Sequence, residues 1–363
     1  MRSDAMKPSA PRRPVTLPAP ESPMARSRLR DVARAAGVST ATADRALHGR
    51  SGVRDATLQR VLKAAAALDY LPEAELYRAM RPAPMELAFL LPAGSNRYLR
   101  MLGDYIGYAQ ESLAPFNVRC RQHLIDSFDP KQVSDALLRY GRQAQGVAFM
   151  ALEHPLVREA VNTLAERDVH VVTLISDLSN SRRAAYVGMD NRAAGRTAGD
   201  LIGRFLGGRR GRVAMIAGSL SYRGHEEREM GFLHVMQERF PELTVVGLRE
   251  GQDDADNNYR QARSLLESHP DLVGLYNIGG ASDGVARAMA EAGREQIVFI
   301  GHGLTPDTRA LLVEGVLDAV ITQHPQTMVA NCARIFSNLR DGRDVMSGVE
   351  PVRISVITRE NLP

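Results

Sequence analysis

The chain has 363 residues, 44% of them hydrophobic and 24% charged, a composition that suits folded globular domains and is too long for one ordinary core. No apolar run reaches the length that spans a bilayer, and the Pro- and Arg-rich start lacks the apolar segment of a secretory signal, which excludes a membrane protein and counts against an exported carrier. The net charge of +4 is uneven: residues 1–82 hold fifteen Lys/Arg against eight Asp/Glu, leaving −3 for the rest. Basic character gathered at one end is the footprint of a module that meets phosphates, although a solvated basic face would give the same count. Cys120 and Cys332 lie far apart with no partner motif, which fits reduced thiols and a cytoplasmic location.

Residues 1–25 read as a disordered basic tail, with Met24 opening the patterned sequence. Leu29, Val32, Ala33 and Ala36 recur at helical spacing, Gly37-Val38 breaks the helix, and Ser39 stands as N-cap for a second helix over Thr40–Leu47. Small Ala33 and Ala36 let the two helices approach, with Val38, Ala43 and Leu47 as their shared core. A third helix from about Asp55 to Leu68 carries Leu58, Val61, Leu62, Ala65 and Leu68 on one stripe and ends before Pro72. Thr40, Ala41, Thr42, Asp44 and Arg45 are left outward on the second helix. Short hydrogen-bonding groups beside one long donor suit entry into a major groove, so residues 26–71 read as an all-α helix-turn-helix module.

The stretch LRDVARAAGVSTATADRALHGRSGVRDATLQRVLKAAAALDYLP closely resembles the headpiece of the lac repressor (LacI/GalR) family, through the AGVS turn and Tyr70-x-Pro72. The resemblance implies double-stranded, palindromic operator DNA as partner. Thr40, Ala41 and Arg45 would then face base edges, while Ser39, Thr42, His48 and Thr57 hold phosphates or the groove wall. Asp44 departs from the small hydroxyl residue common there, and its role is left open. Residues 72–84 match the family's hinge, whose apolar side chain wedges into the minor groove. Ala79 stands at the wedge position, with Met80 or Leu76 as substitutes. Glu73 and Glu75 disfavour DNA contact, and a plain linker is the alternative.

From Met85 onward, short β-rich runs alternate with helical stretches: 86–91, 118–125, 146–152, 170–175, 186–189, 212–217, 244–248, 272–277, 297–301 and 319–323. This alternation predicts parallel, doubly wound sheets with helices on both faces, and ten strands exceed one comfortable sheet, so two lobes with a cleft are expected. Ligands of such sheets sit beyond the carboxyl ends of strands. Polar groups converge there at Asn96 and Tyr98, Ser176 and Asp177, Arg228, Gly279 to Ser282, and Gln323. Planar donors and acceptors with a ring to stack on suit a hydroxyl-rich, sugar-like ligand.

Residues 85–363 resemble ribose-type periplasmic sugar-binding proteins and the effector domains of the same repressor family, carried by LLPAGSNRYL, VVTLISDLS, YVGMDNRAAGRTAGDLI, EREMGF and IGHGLTPDTRALLVEGVLDAVITQHP. The resemblance implies a two-lobed α/β domain of the type I periplasmic-binding-protein kind. Its first lobe would take about 85–188 and 324–348 and its second about 189–323, with the C-terminal segment returning. Asn96, Tyr98, Arg228 and Gln323 fall on ligand positions with like residues. Ile175 and Ser176 replace an Asp-Arg pair, Gly279 replaces an Asn, and Gly303 replaces an acidic residue, with Asp177 and His302 as substitutes one position away.

Catalytic signatures fail. HEERE at 225–229 lacks the second zinc-ligating histidine, the loop Gly218 to Gly224 has the wrong length and no lysine for a P-loop, and no nucleophile-elbow serine is present. His123, His154, His170, His225, His234 and His324 are scattered and read as surface or core residues. No metal or cofactor is expected. The reading is a homodimeric bacterial transcriptional regulator, a repressor, cytoplasmic and nucleoid-associated, switched by a sugar or sugar derivative. The chain's end shortly after RISVI counts against a tetramer. The rivals are a sugar-binding protein or a sugar-modifying enzyme with an incidental headpiece, the latter resting on Asp177 and His302.

Overall fold

The computed structural model describes residues 27–48, 50, 52–70, 84–125 and 128–363. The tail 1–25 and the hinge residues Leu76, Ala79 and Met80 lie outside the described residues. The chain forms two compact units, 1–82 and 83–363.

The first unit contains α1 (Leu29–Ala36), α2 (Thr40–Leu47) and α3 (Asp55–Ala67). Gly37 closes α1 with φ +66°, a left-handed conformation that glycine adopts without steric cost. The Ser39 hydroxyl then accepts the Thr42 N–H at 3.1 Å and starts α2. Val32, Ala33, Ala36, Ala43, Ala46, Val61, Ala64 and Ala65 are buried together, and Leu29, Val38, Leu47, Leu58 and Leu68 pack against them. Six of these eight core residues are alanine, so the helices pack closely around little apolar area, which keeps the unit small.

The second unit has two sheets. One joins β1 (Met85–Pro92), β2 (Val118–Ile125), β3 (Gly146–Phe149), β4 (His170–Leu174) and β5 (Ala185–Val187) in the order β2-β1-β3-β4-β5, parallel throughout. The other joins β6 (Gly211–Ala217), β7 (Leu243–Glu250), β8 (Leu272–Asn277), β9 (Val298–His302), β10 (Ala319–Thr322) and β11 (Ser355–Ile357) in the order β11-β10-β9-β8-β6-β7. Setting β11 aside, the two sheets share one doubly wound topology, in which the order reverses between β1 and β3 and again between β6 and β8.

The helices are α4 (Arg97–Tyr108), α5 (Pro130–Gly141), α6 (Pro155–Glu166), α7 (Asn191–Leu206), α8 (Arg223–Arg239), α9 (Ala255–Ser268), α10 (Ser282–Glu291), α11 (Pro306–Glu314) and α12 (Pro325–Arg340). Strand periodicity builds the core: Val213, Met215 and Ala217 of β6 face one apolar cluster, and Ala214 and Ile216 face another on the opposite side. After β10 the chain crosses to the first lobe, where Met328, Val329, Cys332 and Phe336 of α12 join its core. It returns as β11, antiparallel to β10. That one antiparallel edge departs from an all-parallel sheet because the strand re-enters from the other lobe rather than through a helical crossover.

No helix among the described residues is long and apolar enough to cross a membrane.

Candidate functional site

On the first unit, Thr40, Ala41 and Arg45 are exposed on α2, and Ser39 and His48 are exposed at its two ends. Thr42 and Thr57 are half-buried. The Ser39 and Thr42 hydroxyls lie 2.8 Å apart and bond to each other. Asp44 pairs with His48 Nδ1 at 3.1 Å and with Arg50 Nη1 at 3.0 Å, so its carboxylate holds two basic side chains of its own unit.

In the second unit, the reversal points of both sheets face one cleft, where loops after β1, β3, β6 and β8 diverge and leave room for a ligand. Asn96, Tyr98, Arg228, Gly279, His302 and Gln323 line the same cavity. Asn96 caps α4 by accepting the Leu99 N–H at 3.2 Å, and its amide donates across the cleft to Asp253 Oδ2 at 2.9 Å. The neighbouring Ser95 hydroxyl donates to the Asp253 carbonyl at 2.8 Å. Tyr98 Oη donates to the Gln323 carbonyl at 3.1 Å, and Gln323 Oε1 accepts the Met189 N–H at 2.8 Å.

Arg228 comes from the second turn of α8, which packs on α7 backbone to backbone. A Cβ on Gly195 would lie 1.9 Å from the Arg228 carbonyl oxygen, so only glycine permits that approach. The buried guanidinium donates from Nε to Asn191 Oδ1 and from Nη1 to the Ile278 carbonyl, each at 2.8 Å. His302, at the end of β9, shares a 2.7 Å hydrogen bond between Nε2 and Tyr276 Oη.

Two expected ligand residues are turned elsewhere. Ser176 Oγ accepts the Gly224 N–H at 3.2 Å, and Ser176 is absent from the cavity wall. The Asp177 carboxylate accepts from the Arg183 guanidinium, from Thr173 Oγ1 at 2.6 Å and from the Leu178 N–H at 2.8 Å. Burial pushes that carboxyl up, but these donors outweigh it and hold it below the usual range. The physical reason is local: Ile175 has φ +62°, and this left-handed turn leaves Ile175 on the cavity wall in their place. Asp177, expected with His302 as a substitute ligand residue and as the basis of the enzyme alternative, therefore does not share the cavity wall with His302.

Asp253, Met150 and Met189 also line the cavity and went unread in the sequence, and His225, read there as a scattered surface or core histidine, lines it too. His225 precedes Arg228 by one helical turn, a spacing that puts both on one face of α8 and was the available signal. Asp253 sits in the turn after β7, where Gln252 and Asp253 both take left-handed conformations. Its Oδ1 accepts the Gly280 N–H at 2.7 Å and lies so close to Gly279 that a Cβ there would meet it at 2.1 Å. Asp254, beside it, caps α9 instead. Burial pulls the His225 imidazole down to about 4, and burial with the nearby Arg228 charge holds His302 well below its ordinary value, so both are neutral. Among the described residues no group of His, Cys, Asp or Glu could hold a metal ion.

Two doubly wound lobes around a polar cleft define a ligand-binding domain of the periplasmic-binding-protein class. Residues 131–344 match the periplasmic binding protein domain family, and residues 28–73 match the bacterial regulatory proteins of the lacI family. The chain belongs to the periplasmic binding protein domain family, with a lacI-family helix-turn-helix domain ahead of that domain. It is similar to the ribose import binding protein RbsB of Escherichia coli, 23% identical over 56% of this chain and 68% of that protein. Its N-terminal part is similar to the sucrose operon repressor of Escherichia coli, 47% identical over 64 residues, 17% of this chain and 19% of the repressor. The solved structure of GanP, a glucose-galactose binding protein from Geobacillus stearothermophilus, matches with a TM-score of 0.69 and 25% identity, over 78% of this chain and all of that one.

Proposed function

We propose that this protein is a sequence-specific transcriptional repressor whose hold on operator DNA is set by a small sugar-like effector bound between its two lobes. The observation that carries the reading is the union, in one chain, of a lacI-family helix-turn-helix with an exposed Arg45 and a cleft whose polar groups come from both lobes. A ligand touching Asn96 and Tyr98 on one side and Arg228 on the other favours the closed arrangement over the open one, and differential binding of this kind is what a ligand switch requires. The protein acts as a homodimer, since one headpiece reads only a half-site and a palindrome needs two. It works in the bacterial cytoplasm, where its DNA is. The cleft binds rather than catalyses, in keeping with the engagement of Asp177 by Arg183 away from the cavity.

The test begins with a duplex selected from a random library and a thermal-shift screen over sugars and polyols. Arg228→Ala then retains effector-free DNA binding and loses the effector response. A variant that responds normally removes the cleft from the mechanism.

A further inference from the structure

The hydrogen-bonding groups of the cleft are unevenly matched. Arg228 is only 5% exposed, and its two bonded partners, Asn191 Oδ1 and the Ile278 carbonyl, are both neutral. Among the described residues no carboxylate pairs with it and its Nη2 makes no hydrogen bond. A buried cation without a counter-ion is costly, and the deficit is relieved by an anion that enters the site. His302, 7% exposed, lines the same cavity and its Nδ1 has no partner.

The proton on His302 can be assigned from its neighbour. Tyr276 is fully buried and its hydroxyl has His302 Nε2 as partner at 2.7 Å. If the phenol oxygen accepted from Nε2–H, its own proton would be left buried and unbonded. The phenol therefore donates to Nε2, and Nδ1 carries the hydrogen as a donor. Gln323 is engaged on both sides, its Oε1 by the Met189 N–H and its side chain by the Tyr98 hydroxyl, so the open donors are those of Arg228 and His302.

Against these donors stands one carboxylate on the cavity wall, Asp253, already bonded to Gly280 N–H and the Asn96 amide. The Arg228 charge reaches Tyr98, Tyr276 and His302, that of Asp253 reaches Tyr222, and both reach His225. The cavity wall thus combines buried donors at Arg228 and His302 with a carboxylate at Asp253 suited to accept hydroxyl protons.

We infer that the effector is a sugar acid, a polyhydroxy compound whose carboxylate is received by Arg228 and His302 and whose hydroxyls reach Asp253. This rests on the effector-switched reading above and narrows its ligand. The test is calorimetric titration of the full chain with matched pairs: glucuronate and glucose, galacturonate and galactose, gluconate and glucitol. At least one acid binds about tenfold or more tightly than its neutral counterpart, and Arg228→Gln, with thermal unfolding checked in parallel, abolishes that preference. His302→Asn, a second and milder variant, reduces it. A neutral sugar that binds as tightly as its acid overturns this inference and leaves the sugar-switched reading standing. If neither half of any pair binds, both fall.

Discussion

The Asn96 side-chain amide joins the two lobes by donating to Asp253 Oδ2 at 2.9 Å, while its own oxygen caps α4 through the Leu99 N–H. One residue therefore both starts a helix of the first lobe and latches the second. Asn96→Asp keeps an oxygen for the cap but sets a second carboxylate against Asp253. The expected outcome is a cleft that rests open, with a larger radius of gyration in small-angle scattering and weaker effector binding. An unchanged scattering profile would count against the latch.

Gly195 and Gly107 make a paired test of packing. At Gly195 a Cβ meets the Arg228 carbonyl oxygen, so Gly195→Ala forces α7 and α8 apart at a cost of about 1–3 kcal/mol and shifts the guanidinium with its helix. Gly107, near the end of α4, has nothing within 4 Å of an added Cβ. Gly107→Ala should stabilise by about 0.5–1 kcal/mol through helix propensity. Urea denaturation of the two variants reads both signs.

The cleft histidines fix the direction of the pH response. Burial lowers His225 to about 4 and His302 well below the ordinary 6.5, so each binds its proton less tightly folded than unfolded. The unfolded chain then takes up more protons as pH falls, and stability present above about pH 6.5 is lost toward pH 4. The loss is at most about 1.4 kcal/mol per pH unit for each histidine. His123 and His170, also lowered first by burial, act in the same direction. Denaturation followed across this range should show a shallower slope in His302→Asn.

On the DNA-facing unit, Asp44 occupies His48 and Arg50. Asp44→Asn breaks the ion pair with Arg50 and removes a negative charge, so affinity for duplex DNA of any sequence should rise, with a steeper dependence on salt. Arg45→Ala should instead cost about 1–3 kcal/mol on the selected duplex and relax one symmetric base pair. Equal losses on selected and random duplexes would assign Arg45 to the backbone.

Much of the fold was legible in the sequence because it is written in short-range periodicity. The three helices of the first unit and the ten alternating strands follow from apolar spacing, Gly37 and Ser39, and each such signal spans only a few residues. Ala46 and Ala64 entered the first core unannounced, since a small side chain marks a helix face weakly. What the tertiary structure decided was which acid faces the cleft. Asp177 and Asp253 each follow a strand, and nothing local separates them. Asp177 is withdrawn by Arg183 and by the left-handed Ile175, whereas Asp253 is held in the cavity wall by Gly280 and by Asn96, 157 residues away in the chain. A carboxylate's role depends on which donors reach it, and donors brought together by folding have no fixed spacing in the sequence.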